Sequence, residues 1–103
     1  MIARIWHGVT PAAKADEFLA YIRQTGEPAY RNTEGNCGVF ILRRMENDRA
    51  DFLLISLWDS LEAIRRFAGP DIDLATYPFP KDREFLVELE PKVLHYEIMA
   101  RPE

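Results

Sequence analysis

The chain has a single cysteine, Cys37, in 103 residues. That excludes an intrachain disulfide and any cysteine-rich zinc site, and it suits a reducing compartment. Cationic charge is also short. Thirteen Lys and Arg face seventeen Asp and Glu, a formal charge of −4, and the only adjacent arginines are the pairs Arg43-Arg44 and Arg65-Arg66. With no basic block and a sequence pI near 5.2, nucleic acid is not an expected partner. No apolar run approaches the ~20 residues needed to span a bilayer, so no membrane partner is expected. The N-terminal MIARIWHGVT has neither a long apolar core nor a small-residue cleavage pattern. This argues against a signal peptide and makes the cytoplasm the expected location. There is no internal repeat, no low-complexity tract and no linker. At this length the expectation is one domain over residues 1–103, with a sufficient core but little to spare.

What the chain does have is a strand-to-helix joint, FLLISLWDSLEAIRRF, from Phe52 to Phe67. An apolar run ends at Trp58. Asp59 or Ser60 can cap the helix that follows, and Glu62 falls in its first turn, where the helix dipole favours an acid. Leu61, Ile64, Arg65 and Phe67 then recur at helical spacing.

Taken in order, Met1 to Val9 reads as a strand. Ala3, Ile5 and His7 point one way, and Ile2, Arg4 and Trp6 the other. Thr10-Pro11 is expected to open a helix, with Thr10 as N-cap and Pro11 in the first turn. Its apolar stripe is Ala15, Phe18, Leu19 and Ile22, and Gly26 is its expected C-cap. Pro28 to Arg31 is read as a further helical turn and residues 32–36 as a turn. Gly38 to Met45 is the second strand, residues 46–50 a polar hairpin loop, Phe52 to Trp58 the third strand, and Ser60 to Ala68 the second helix. A short helical piece is expected near Ile72 to Thr76, then an irregular loop. Asp82 to Leu89 is open between a helical turn and an extended edge. Lys92 to Met99 is the last strand.

The order β-α-β-β-α-β is the ferredoxin-like α+β arrangement, a four-stranded antiparallel sheet with two helices on one face. The third strand is apolar on both faces: Phe52, Leu54, Ser56 and Trp58 oppose Leu53, Ile55 and Leu57. Leaving either set in water would expose a large apolar patch. The expectation is therefore a homodimer in which two sheets pack face to face.

These features together resemble the antibiotic biosynthesis monooxygenase family of dimeric α/β-barrel proteins. The resemblance covers nearly the whole chain. Its carriers are the first strand with Thr10-Pro11, the Gly35-Asn36-Cys37-Gly38 turn, the joint from Leu57 to Ile64, the Phe67-Ala68-Gly69 helix end, and the closing run from Val93 to Glu97. It implies a cavity between sheet and helices. Some members oxidise aromatic or quinone-forming substrates with molecular oxygen, so a small aromatic ligand is the implied partner. They use no metal or flavin, so no cofactor and no metal are implied. A non-catalytic small-ligand-binding or stress-response protein is the alternative on the same fold. A haem-degrading branch uses an Asn on the first strand, a Trp near the end of the second helix and a His after it. Here those helix and loop positions fall at Phe67 and Tyr77, and the first strand has Trp6 and His7 but no Asn. The resemblance therefore does not favour haem degradation.

Of the two histidines, His95 is the candidate catalytic base, since a neutral imidazole takes a phenolic proton near neutral pH. It can equally serve as a structural histidine bonded across the sheet. Trp58, Phe67, Tyr77, Trp6 and His7 are the candidate substrate-binding residues, each also readable as core, loop packing or dimer seam. His7 could approach His95 and Glu97 if the registers of the first and last strands agree, though that spacing is not diagnostic of a metal site. Arg4 and Arg65 could bind an anionic intermediate, though surface or ion-pair roles are commoner; Arg4 has no wet side in a covered strand, and Glu97 is its expected partner. Cys37 is assigned no redox role.

Overall fold

The joint from Phe52 to Phe67 forms as a strand and helix in the computed structural model, which describes residues 1–102. Strand β3 spans Arg49–Trp58 and helix α3 spans Leu61–Ala68. Ser60 is the N-cap, its hydroxyl oxygen accepting from the Ala63 amide at 3.1 Å. Gly69, at φ 89°, ends the helix and donates to the Arg65 carbonyl at 2.8 Å, a conformation that a side chain would strain.

The other strands are β1 (Ile2–Pro11), β2 (Asn36–Glu46) and β4 (Leu94–Glu97), and the sheet order is β2-β3-β1-β4, antiparallel throughout. Helices α1 (Ala15–Gln24), α2 (Gly26–Arg31) and α3 cover one face, and α4 (Asp82–Phe85) is a single turn late in the chain. The covered face carries Phe52, Leu54, Ser56 and Trp58 of β3 and Arg4 and Trp6 of β1, all buried. Against them pack Phe18 and Ile22 of α1, Tyr30 of α2, and Ala63 and Ile64 of α3. Phe18 meets Phe52 edge-on at 4.9 Å between ring centroids. Trp58 is wholly buried, and its indole N–H donates to the Ser56 hydroxyl at 2.8 Å, which satisfies the one polar atom of that side chain.

The register sets the opposite face in rows. Phe40, Ile55, Ile5 and Leu94 lie side by side, as do Leu57, Ala3 and Tyr96. Phe40, Leu42, Leu94 and Tyr96 are exposed there.

Several local expectations are corrected. Thr10-Pro11 does not open a helix. β1 continues through both residues, Pro11 adopts an extended conformation (ψ 143°), and a 3-10 turn over Ala12–Lys14 precedes α1. The pairing of Thr10 with Ala50 and Pro11 with Arg49 holds these residues in the sheet, and Pro11 gives up no helix bond. Gly26 does not cap α1. Thr25 ends it, with both its amide and its hydroxyl donating to the Tyr21 carbonyl, and Gly26 begins α2. The hairpin loop is only Asn47-Asp48, because Asn47 takes up φ 56° and lets Glu46 pair with Arg49. Residues 72–76 form no helix. A turn closes from the Leu74 amide to the Asp71 carbonyl at 3.3 Å, and Leu74 then makes an isolated antiparallel bridge with Lys92. Asp82 to Leu89 is one helical turn followed by irregular backbone, and the last strand is confined to Leu94–Glu97. Arg4 does not pair with Glu97, which stands opposite Ile2 in the ladder. Among the described residues, no helix is long and apolar enough to cross a membrane.

Candidate functional site

A cavity of about 280 Å³, partly open to solvent, lies between the covered sheet face, the start of α2 and the segment 75–79. This places it at the lower end of the range for small-molecule sites. Its floor is Arg4, Trp6 and Leu54, and its walls include Tyr30, Phe67 and Tyr77.

The floor depends on a glycine. A Cβ on Gly8 would lie 2.2 Å from the Trp6 indole, so only glycine lets the indole lie flat along β1 toward the cavity. The Trp6 indole N–H then donates to the Tyr77 hydroxyl at 3.2 Å, and that hydroxyl donates to the Glu90 carbonyl at 2.7 Å. This chain of bonds fixes a segment with no regular structure as the outer wall. On the other side Tyr30 stacks on Phe67, with centroids 4.5 Å apart and planes at 18°. Trp58 does not line the cavity. It backs Tyr30 and Phe67 from within the core, at 6.3 and 5.4 Å.

Arg4 is the charged group of the floor, only 3 % exposed. One terminal nitrogen donates to the Ile72 carbonyl and lies 3.0 Å from His95 Nε2, and the other donates to the Leu74 carbonyl at 3.2 Å. Among the described residues no carboxylate pairs with it. Asp73 reaches it only through His95, whose Nδ1 lies 3.3 Å from the Asp73 carboxylate. Burial lowers the Arg4 pKa, partly offset by Tyr30 and Asp73.

His95 does not face the cavity. Its Nε2 can accept from Arg4 only when the ring is neutral, with the proton on Nδ1 and directed to Asp73. Burial first, and then the Arg4 charge, lower its pKa accordingly. His7 lies on the other side of the sheet, bridging Asp51 at 2.9 Å and Glu90 at 2.5 Å. Burial opposes its charge, but hydrogen bonds to the two carboxylates outweigh it and raise the pKa. The structure thus brings Trp6, Phe67 and Tyr77 together, holds Trp58 and His95 one layer behind them, and places His7 elsewhere.

Two groups at the cavity were not legible in the sequence. Asp82, at the start of α4, is buried on the wall and accepts from the Phe79 amide at 3.3 Å. Burial raises its pKa. Burial pushes the Tyr30 hydroxyl up to about 12, and Arg4 opposes that shift. Neither residue carries a periodicity or motif signal; a polar group in a loop and an aromatic on a short helix look like ordinary surface and core.

The sequence profile described as antibiotic biosynthesis monooxygenase matches residues 1–71. Tyr77, Asp82 and His95 lie beyond that match. No curated protein matches the chain significantly by sequence. Among solved structures, a candidate antibiotic biosynthesis monooxygenase from Nitrosomonas europaea superposes with a TM-score of 0.69 at 18% identity, covering 97% of this chain and 100% of that one. The haem degrader MhuD from Mycobacterium tuberculosis, solved with two haems in its active site, has a TM-score of 0.67 at 20% identity over the full length of both. A further candidate monooxygenase of this type, from Bacillus cereus, has a TM-score of 0.60 at 17% identity, over 99% of this chain and 94% of that one. At these identities the likeness is one of fold.

Proposed function

The chain belongs to the antibiotic biosynthesis monooxygenase family, and on that premise we propose that its cavity is the active site of a small monooxygenase for planar aromatic substrates. The observation that carries this reading is the aromatic-walled cavity of about 280 Å³ with a buried carboxyl group, Asp82, on its wall. A substrate with an acidic C–H or phenolic O–H would lie between Trp6, Tyr77 and the Tyr30–Phe67 stack. Loss of a proton gives a carbanion or phenolate, which is oxidised directly by molecular oxygen. For a methylene carbon flanked by aromatic rings, oxygen adds at carbon as a hydroperoxide. Water then leaves, taking the second hydrogen of that carbon. One methylene and one molecule of oxygen thus become one ketone carbonyl and one water. Asp82 suits the role of proton acceptor better than His95, because it lines the cavity and its carboxylate is destabilised by burial. His95 suits the role of positioning Arg4, since its acceptor nitrogen is already engaged. Haem chemistry finds less support, because neither histidine offers a free nitrogen to the cavity.

The same reading includes a homodimer through the open sheet face. Rows such as Phe40-Ile55-Ile5-Leu94 would otherwise leave a contiguous apolar surface in water.

An oxygen electrode with a panel of anthrone-like and hydroquinone substrates tests the proposal. The wild-type protein is expected to consume one molecule of oxygen per carbonyl formed from an anthrone. An Ala29→Trp variant, which fills the cavity from α2, should bring the rate to background. Uptake that is absent across the panel, or indifferent to the filled cavity, would rule the reading out.

A further inference from the structure

We infer that the ligand of this cavity is a planar anion, bound through a carboxylate or phenolate oxygen that supplies the missing countercharge of Arg4. The inference rests on the reading of the cavity as a small-molecule site and specifies the class of molecule it takes.

A buried guanidinium without a carboxylate partner is costly, since ions taken from water need both charge compensation and filled hydrogen bonds. Arg4 has the hydrogen bonds but lacks the charge compensation. Its terminal nitrogens hold two backbone carbonyls and a neutral imidazole, none of which is an anion. Its Nε–H makes no hydrogen bond to another described residue and keeps access to solvent, so it is free to donate to a ligand. Asp73, the acid whose charge acts on Arg4, is mostly exposed and contacts His95 on the ring nitrogen away from Arg4. The carbonyls of Ile72 and Leu74 and the ring of His95 instead lock the guanidinium in one orientation, and the Phe67 ring stands 5.9 Å from its central carbon. This is a preorganised cation on the floor of an apolar cavity.

The group nearest to it in kind is the Tyr30 hydroxyl. Tyr30 is largely buried, but its hydroxyl makes no hydrogen bond to another described residue and keeps access to solvent, and a pKa pushed up to about 12 keeps it a donor near neutral pH. Arg4 and Tyr30 both line the cavity and influence each other's charge. An anionic oxygen would accept from both. The flat aromatic walls select the remainder of the molecule, so a planar ring system bearing one anionic oxygen fits charge and shape together. For the proposed oxygenation, this arrangement favours the deprotonated substrate over the neutral one.

The test uses two ligands of nearly equal shape and different charge, 2-naphthoate and 2-naphthamide, titrated calorimetrically into the wild-type protein. The carboxylate is expected to bind about tenfold or more tightly, the scale of a charged hydrogen bond. Arg4→Gln should abolish that preference, and Tyr30→Phe should reduce it. Because Arg4→Gln removes structural bonds as well, the wild-type side-chain NMR signal of the Arg4 Nε–H provides an independent reading, and it should move on adding naphthoate but not naphthamide. Equal affinity for the two ligands, with both lost in Ala29→Trp, would overturn the anion assignment and leave a site for neutral aromatics. Failure of either ligand to bind would overturn the assignment and the small-molecule site together. A preference that survives both Ala29→Trp and Arg4→Gln would place the anion elsewhere, at the arginines of the β2-β3 hairpin, and would also overturn it.

Discussion

The pKa values of His7 and His95 are moved in opposite directions by their surroundings, and stability should follow pH in opposite directions at the two sites. The folded-state pKa of His7 is raised above 6.5, so the stability it adds is full below that value and is lost as pH rises through the folded pKa. The folded-state pKa of His95 is lowered, so its contribution is full above 6.5 and is lost as pH falls through the range below it. Urea unfolding across the histidine range should therefore show His7→Gln losing most at the acidic end and His95→Gln losing most at the alkaline end. Asp82 presents the reverse case for a carboxylate. Its raised pKa means that ionisation costs stability near neutral pH. Asp82→Asn keeps an oxygen to accept from the Phe79 amide, so the melting temperature should hold or rise. Oxygen consumption should fall about a hundredfold if Asp82 takes the proton. An unchanged rate would remove it from that role.

At the scale of elements, β1 carries most of the cavity floor, because alternation puts Arg4 and Trp6 on the covered face while the neighbouring ladders fix their height. Gly8 is the element's specific requirement. Gly8→Ala forces the Trp6 indole off the strand, at a cost of about 1–3 kcal/mol for overpacking. Binding of an aromatic ligand should weaken with it, which tryptophan fluorescence and calorimetry can follow together. Helix α3 depends on its cap. Ser60→Ala removes the acceptor for the Ala63 amide and should cost about 1 kcal/mol in urea unfolding, with no effect on ligand affinity.

At the scale of the molecule, one sheet face is covered by helices and the other presents exposed Phe40, Leu42, Leu94 and Tyr96. A face-to-face dimer would bury those rows and bring His7, with Asp51 and Glu90, to the seam. Light scattering should give twice the 12.0 kDa of the chain. A Phe40→Arg, Leu94→Arg double variant should run as a monomer, because unpaired charge would then face the partner sheet. A wild-type mass of one chain at micromolar concentration would refute the dimer.

The βαββαβ order, the joint from Trp58 to Leu61 and the two-sided apolar character of β3 were determined by sequence alone. They rest on local rules: period-two alternation, helical spacing and a capping pair, Asp59-Ser60, of which the structure uses Ser60, each acting over a few residues. The same local signals erred at Thr10-Pro11 and Gly26, where a favourable cap pattern yielded to sheet pairing that continued through Pro11 and to the carbonyl bond made by Thr25. The cavity was decided only by tertiary structure. Arg4, Tyr30, Tyr77 and Asp82 are scattered along the chain, and their meeting depends on how the segment after α3 folds back over β1. What a buried charge lacks, in this case a countercharge for Arg4, becomes visible only when every neighbour is in place, because desolvation is a property of the whole surround and not of any local stretch of chain.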